Sequence, residues 1–545
     1  MEFKRISGFL RGNYAWLAFF LCALIIISPL GEFPLNDDWA YALSVRHLLE
    51  DRMLVIPDIV TATLVWQTVW GGMWALLLGP SFAALRISTL ALALLAALCL
   101  GKITGEKKPS WLAPLSPEFL LLSSPFFLML SFTFMTDVPY IAWMLLSALF
   151  YSRALENDSA KTWLCGAAAV SLAYLTRQIA VAVPAAILIA LHMQGKLSVK
   201  RLLLAFALPV AVIAAHYYWF NIMYGGNWAS RFYLSDGLTA FLITPGNYPE
   251  MACRAASTLL YCGLFSLPLA ILLPRTPLSR RDGAMLAAAL LLLGLFTYAK
   301  GLPPYYPNLM TAHGFGINLV GSKSGGILSN GIFWCLVLAA SAYSLAKFQL
   351  NSKLFRTPQA VTLLLLAGTH LALSVTLKNF YDRYVLTVFV PFLAAAYVAV
   401  KSREDAASPW RLRTAAGASL LLALLAFAGT WDYMNWNRAK NNAAEQGTNA
   451  GLAPERINNG FDWYAALLYE PNMNRLKKEL PLNRIGRFDW IKDNEFSAFV
   501  SFGRMDSPYW DLKGKTDYFS PLTLKRESVC LYELKNGRTY RVDSF

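Results

Sequence analysis

Residues 60–78 read VTATLVWQTVWGGMWALLL, and whether they cross a membrane decides on which side every later loop lies. The stretch is long enough to span, yet it holds three threonines, Gln67, three tryptophans and the pair Gly71-Gly72. That composition suits the water interface better than the hydrocarbon core. Upstream, Tyr14 to Leu30 is apolar and follows Lys4, Arg5 and Arg11. No small-residue cleavage site follows Ile27, so this segment is expected to be an uncleaved first helix with its basic end in the cytoplasm. With 60–78 at the interface, loops 101–113, 153–161, 192–201, 274–282, 347–357 and 401–413 fall together on the cytoplasmic side. Each holds two or more lysines or arginines, among them Lys102, Lys107, Lys108, Lys196, Arg275, Lys347 and Arg411. This is the asymmetry the positive-inside rule asks for. About thirteen transmembrane helices follow, and the two longest outer loops are 221–254 and 300–329.

Composition points the same way. Of 545 residues 56% are hydrophobic and 15% charged, less charge than a soluble domain of this length carries. Apolar runs recur from Tyr14 to about Thr430, and only helices can hide their backbone polarity in lipid. From Trp431 onward charges of both signs are frequent and no run is long enough to span. Residues 1–430 are therefore expected to form the membrane domain, with interface helices in a first outer loop, 31–82. Residues 431–545 are expected to form a small soluble α/β domain outside, with helix-forming stretches at 437–446 and 461–470 and alternating runs at 496–502 and 529–534. The net charge of +15 sits largely in short loops and reads as topology, not as a nucleic-acid footprint. Seven scattered cysteines show neither zinc nor disulfide spacing, and no internal repeat or low-complexity tract stands out.

The residues that could carry chemistry cluster at the outer boundary. Asp37-Asp38-Trp39-Ala40-Tyr41 follows the first helix after Pro34. One member of the acidic pair could act as a general base beside a membrane-embedded donor, and an aspartate there could equally cap a helix starting at Trp39. Asp137, in Thr136-Asp137-Val138-Pro139, falls on the same side between two apolar segments, where an ionisable group is functional, tightly paired or an N-cap. Arg177 divides the apolar stretch 163–191 and suits a phosphate or an aspartate partner, or a snorkelling role. Further outer cations are Arg231, Arg254, Lys300, Lys323, Lys378 and Arg383, the last within Tyr381-Asp382-Arg383-Tyr384; two or three are expected to converge on an anionic head group. The loop 300–330 is rich in Gly, Pro and Asn, contains Tyr305-Tyr306 and His313, and could serve as a substrate lid or lipid gate.

The acidic pair after the first helix, the Thr-Asp-x-Pro after the third, the cation after the fifth and the Arg-Tyr near the twelfth together resemble the GT-C superfamily of glycosyltransferases. The narrower likeness is to the bacterial family that includes protein O-mannosyltransferases and the lipid A aminoarabinose transferase. The resemblance implies a polytopic α-helical membrane enzyme of GT-C type whose donor is a polyprenyl-phosphate sugar. Its acceptor would be the hydroxyl of a glycan, lipid or protein, and its place the bacterial inner membrane, as a monomer among membrane lipids without nucleic acid. Carried over by position, it makes Asp37 the catalytic base and puts the family's second-loop aspartate, expected to be catalytic, at Asp137. It makes Asp38, Tyr41 and Arg177 substrate-binding, and Lys300, Tyr305 and Arg383 on the same side are expected to join them. The family's lysine-glycine at the fifth helix end reads Arg177-Gln178 here. Its acidic-Lys-Pro-Pro pattern is absent, with Trp66-Gln67 in that neighbourhood, so no metal is carried over: no cofactor is certain, and a divalent metal stays open without support from the sequence. Two other readings remain: a lipid or solute transporter, and an oligosaccharyltransferase-type subunit from the short match Trp431-Asp432-Tyr433.

Overall fold

A computed structural model describes residues 15–105, 115–230, 244–274, 279–403, 407–481, 484–486 and 488–541. Lys4, Arg5, Arg11, Lys107, Lys108, Arg231 and Arg275 lie outside the described residues. Eight helices are long and apolar enough to cross a bilayer, beginning with Phe82–Thr104 and ending with Pro409–Asn449. Two shorter apolar helices are Ala15–Ile26 and Gln178–Met193. With Ala160–Thr176 and two broken segments, Pro117–Leu122 with Pro125–Ser131 and Tyr248–Phe265 with Leu267–Leu272, the apolar helical segments among the described residues, Val65–Leu78 apart, number thirteen. Both breaks fall where a proline opens the following piece, Pro125 and Pro268, as the missing amide and fixed φ require.

The stretch that decides the topology forms a helix over Val65–Leu78 of 14 residues. At 1.5 Å per residue that is about 21 Å, short of the roughly 30 Å hydrocarbon core. It buries Gln67, Thr68, Gly71, Gly72 and Ala75 against the body and leaves Leu76, Leu77 and Leu78 exposed. Gly71 is required there, because a Cβ would stand 2.5 Å from the Phe134 ring. A second helix of the first loop, Asp38–Glu50, precedes it.

The expected domain boundary at 430/431 falls inside one helix, Pro409–Asn449, of 41 residues. No proline follows Pro409 within it, so nothing stops the helix where its composition turns polar. Its C-terminal half is the spine of a small C-terminal sheet domain. A sheet packs on that spine, with β6 (Ala498–Phe502), β8 (Lys525–Leu534) and β7 (Trp510–Ser520) antiparallel in that order. Strand β4 (Ile457–Asn458) joins β6 in parallel, and the helix Phe461–Glu479 completes the α/β layer. The loop 300–330 contributes to this sheet from the membrane domain. After a small hairpin, β1 (Met310–Thr311) and β2 (Gly314–Phe315), its β3 (Val320–Gly321) lies parallel to β6 with Val320 opposite Ser501.

Two buried ion pairs fix this junction. Lys323 Nζ from the loop lies 2.8 Å from Asp432 Oδ2, and Ser520 Oγ donates to the other carboxylate oxygen at 2.5 Å. Lys440 Nζ donates to Asp462 at 2.7 and 2.8 Å and lies over the Trp436 ring at 5.4 Å. All four charged side chains of these pairs are fully buried. Removing one partner leaves an uncompensated charge in a dry site, which costs about 3–5 kcal/mol. Lys440→Met is expected to lower stability by that amount, read as an earlier thermal unfolding midpoint in detergent, while the double variant Lys440→Met/Asp462→Leu regains most of the loss.

Candidate active site

Two arginines from distant helices hold the backbone that leads to Asp37. Arg86 Nη1 donates to the carbonyls of Pro29 (3.2 Å) and Gly31 (2.9 Å), and Nη2 donates to that of Phe33. Arg438 Nη2 donates to Ile27 (2.8 Å) and Ser28 (2.6 Å), taking up carbonyls orphaned at the end of the first helix. Asn36 then turns the chain through a positive φ of 57°, a conformation asparagine tolerates.

The acidic pair that follows divides by depth. Asp38 points inward and is fully buried, accepting from the amides of Leu35 (2.6 Å) and Phe134 (3.4 Å). Gln67 Nε2 donates to the carbonyl of Phe134 at 3.2 Å, so both polar groups of that peptide residue are held. Asp38 was expected to bind substrate. It instead ties the first loop to the turn before Asp137, because its carboxyl is spent on backbone amides out of solvent's reach. Asp37 occupies the N-cap position but makes no side-chain capping bond. Its carboxylate is 41% exposed, with Oδ2 3.6 Å from Arg383 Nη2. The capping alternative is therefore not realised.

Around Asp37 the structure gathers Tyr41, Asp137, Arg177 and Arg383. Tyr41 lies one helical turn on, in the electrostatic reach of Asp37, Arg383, Asp137 and Arg177. Burial first, and then the Asp37 charge, push its hydroxyl well above the usual range, so it stays protonated. Asp137 opens the helix Asp137–Asn157, and Arg177 Nη1 donates to its Oδ1. Arg177 ends the helix Ala160–Thr176 in an extended conformation, with its own amide on the Ala173 carbonyl at 2.8 Å. The Tyr384 ring is shared: the Arg177 guanidinium lies 5.3 Å from its centroid and that of Arg383 5.6 Å. Arg383 Nε and Nη1 and Asp137 Oδ2 are buried with no hydrogen-bond partner among the described residues. Two unpaired donors on a held guanidinium make an anion-binding point.

The two other expected contacts stand elsewhere. Lys300 Nζ is 2.7 Å from Glu250 Oε2 and 5.6 Å from the Tyr306 ring centroid. Arg254 shares Glu250 at 3.3 Å, so this is a second charged cluster. Ring contacts join it to the first, Tyr306 to Phe380 at 5.1 Å and Phe380 to Tyr384 at 5.9 Å, and the Asp382 amide donates to the Tyr306 carbonyl at 2.9 Å. Tyr305 is a packing residue, buried against Phe296 with ring centroids 4.7 Å apart. Sequence reasoning missed Asp382, whose carboxylate accepts from the amides of Asn308, Leu309 and Met310 at 2.8–3.3 Å and moors the 300–330 loop beside Arg383. It missed Tyr384 as well. The string Asp382-Arg383-Tyr384 was their only signal. His313 Nδ1 sits 3.2 Å from the Lys323 carbonyl, a loop hydrogen bond. Among the described residues no group of three or more His, Cys, Asp or Glu could hold a metal ion.

Residues 70–219 match the family model described as dolichyl-phosphate-mannose-protein mannosyltransferase. The match takes in Asp137 and Arg177, begins after Asp37 and ends before Arg383. Two solved structures align along most of the chain, those of ArnT from Cupriavidus metallidurans bound to undecaprenyl phosphate and in the apo state. Their identities are 14% and 13%, each covers 95% of this chain and 98% of its own, and both have a TM-score of 0.43. A superposition that loose assigns no chemistry to any residue. No curated protein matches the chain by sequence.

The depth of Asp38 has a measurable signature. Burial pushes its carboxyl up to about 7, against the pull of the Arg86 charge and its two amide donors. The folded chain thus keeps a proton that the unfolded chain gives up near the ordinary carboxyl value. Stability should therefore fall as pH rises from about 4 to about 7, by at most about 1.4 kcal/mol per pH unit from this group, and level off above. Unfolding midpoints across that window are expected to be flatter for Asp38→Asn; an unchanged slope refutes the assignment.

Proposed function

We propose that the chain is a GT-C type glycosyltransferase. It moves a sugar from a polyprenyl-phosphate donor to an acceptor hydroxyl at the outer face of the membrane, with Asp37 as base. One observation carries this reading. A part-exposed, uncapped carboxylate faces a buried arginine with two unpaired N–H donors, and a second arginine shares that arginine's tyrosine. A base beside an anion-binding pair at the membrane boundary is what transfer from a lipid phosphate requires. The family match over 70–219 adds to it, since its description names a lipid-phosphate sugar chemistry of the same kind.

In this mechanism Asp37 takes the acceptor's proton as the oxygen attacks the anomeric carbon from the face opposite the phosphate. The bond from that carbon to the phosphate oxygen breaks, its electron pair leaves with the lipid phosphate, and the configuration inverts. Charge gathers on the phosphate oxygens, where Arg383 and Arg177 offset it more strongly in the transition state than before. Asp137 keeps Arg177 aimed, and the protonated Tyr41 hydroxyl is a donor to substrate oxygens. Lys300, with Glu250 and Arg254, forms an outer basic cluster one aromatic layer away. The acceptor is a glycan, lipid or protein hydroxyl. The lysines and arginines of the opposite loops support an N-terminus in the cytoplasm and a C-terminal domain outside, and the membrane we assign is a bacterial inner membrane.

Purified chain incubated with a labelled polyprenyl-phosphate sugar is expected to release polyprenyl phosphate. Asp37→Asn should lower that rate about 10²–10⁴-fold and Arg383→Ala about 10²–10³-fold, with unfolding midpoints little changed. Full activity in Asp37→Asn removes it as the base. Movement of intact lipid-linked sugar across a vesicle membrane, with no lipid phosphate released, makes the protein a transporter.

A further inference from the structure

The tip of the β7–β8 hairpin has no role in the transfer chemistry, and its place in the fold is unusual for a soluble domain. The tip reads Phe519-Ser520-Pro521-Leu522-Thr523-Leu524-Lys525-Arg526. Soluble hairpins turn on Gly, Asn or Asp, which tolerate a positive φ and hydrogen-bond to water. Here the residue at positive φ is Leu524, at 56°, and it is 77% exposed. A bulky leucine in the left-handed region, facing outward, is strained and gains nothing from water. Phe519 is exposed beside it, and Lys525 and Arg526 are exposed and make no ion pair among the described residues.

Two contacts set the height of this tip. On one side Phe519 packs on Trp431 with ring centroids 5.8 Å apart, and Asn435 Nδ2 donates to the Phe519 carbonyl at 2.9 Å. Trp431 is the first residue after the last apolar run, where a transmembrane helix meets the head groups and tryptophan is favoured. On the other side the Leu522 carbonyl lies against Gly326, so close that a Cβ there would be 2.4 Å from it. Gly326 belongs to the turn that enters the membrane helix Gly331–Leu350, whose Ile332 is 73% exposed. The hairpin tip therefore sits level with the end of one apolar run, at Trp431, and the start of another, at Gly331, with Leu524 free, Phe519 half-covered by Trp431, and the cations next to them.

We propose that this tip dips into the bilayer, with Phe519 and Leu524 among the acyl chains and Lys525 and Arg526 on the phosphates of anionic phospholipids. An apolar tip flanked by cations at interface depth has the chemistry of a peripheral membrane anchor, apolar burial plus attraction to anionic lipid. It holds the soluble domain to the membrane at a second point besides the long helix.

The test uses the full chain in nanodiscs of neutral phospholipid with or without a quarter of phosphatidylglycerol. A nitroxide is placed on Leu524→Cys and, as an aqueous control, on Asp506→Cys, whose side chain is 93% exposed; the signal of the native cysteines is read on the parent chain and subtracted. The label at 524 is expected to collide severalfold more with lipid-soluble oxygen than with a water-soluble nickel chelate, the reverse of 506. Equal ratios at the two sites overturn the insertion. Phosphatidylglycerol should raise the oxygen preference at 524, and Lys525→Glu/Arg526→Glu should abolish that rise; a rise that survives the charge reversal overturns the head-group contact. Should Leu524→Cys fail to fold, Thr523→Cys, free of the strained φ, takes the same label and the same two criteria.

Discussion

The carbonyls of Pro29, Gly31 and Phe33 converge on one guanidinium, Arg86, which is fully buried at the start of its membrane helix. A charge so placed is costly unless acceptors meet its donors. Three carbonyls meet its Nη groups, Nε has no hydrogen-bond partner among the described residues, and the three contacts fix the path of five consecutive residues. That path delivers the acidic pair, sends Asp38 inward to the Phe134 amide, and leaves Asp37 outside facing Arg383. Everything at the candidate site is measured from this anchor, because the two aspartates differ in role only through the direction in which the chain arrives.

The 300–330 loop is constrained from both ends in a comparable way. Asp382 gathers its first half through three backbone amides, and the pair Lys323–Asp432 together with strand β3 gathers its second half onto the soluble sheet. Asp382 precedes the arginine that touches Asp37. One loop thus has its two moorings at the candidate base's partner and at the soluble domain, and the two halves of the protein share a single polar framework. The buried ion pairs are worth little as net stabilisation, but an arrangement of loop, helix and sheet that parted either pair would leave a buried charge alone.

Much of this was legible in the sequence because it depends on side, not on contact. The composition of 60–78 and the placement of lysines and arginines gave the order and number of the apolar segments. They also put Asp37, Tyr41, Asp137, Arg177 and Arg383 at one boundary, where the structure brings them together. What the sequence could not convey was depth. Asp37 and Asp38 are neighbours, yet about 100° of helical rotation separates a solvent-facing carboxylate from a buried one. Lys300 is drawn away by Glu250, 50 residues off in sequence, and Tyr305 packs on the nearby Phe296. The roles of Asp382, Tyr384 and Arg438 are set by chain segments tens to hundreds of residues distant. The boundary at 430/431 misled for a related reason, since composition marks where lipid ends and not where a helix does.

The unbroken helix Pro409–Asn449 has a mechanical meaning. Its 41 residues make a rod about 60 Å long, apolar in its first half and polar in its second. A rod cannot bend at the water line to absorb a change in tilt, so when a thinner or thicker bilayer changes the angle of the lower half, the upper half swings with it. The sheet and the loop fastened to that upper half must follow. In a membrane, a change in the tilt of the apolar half would therefore carry the polar half, with everything fastened to it, through the same angle.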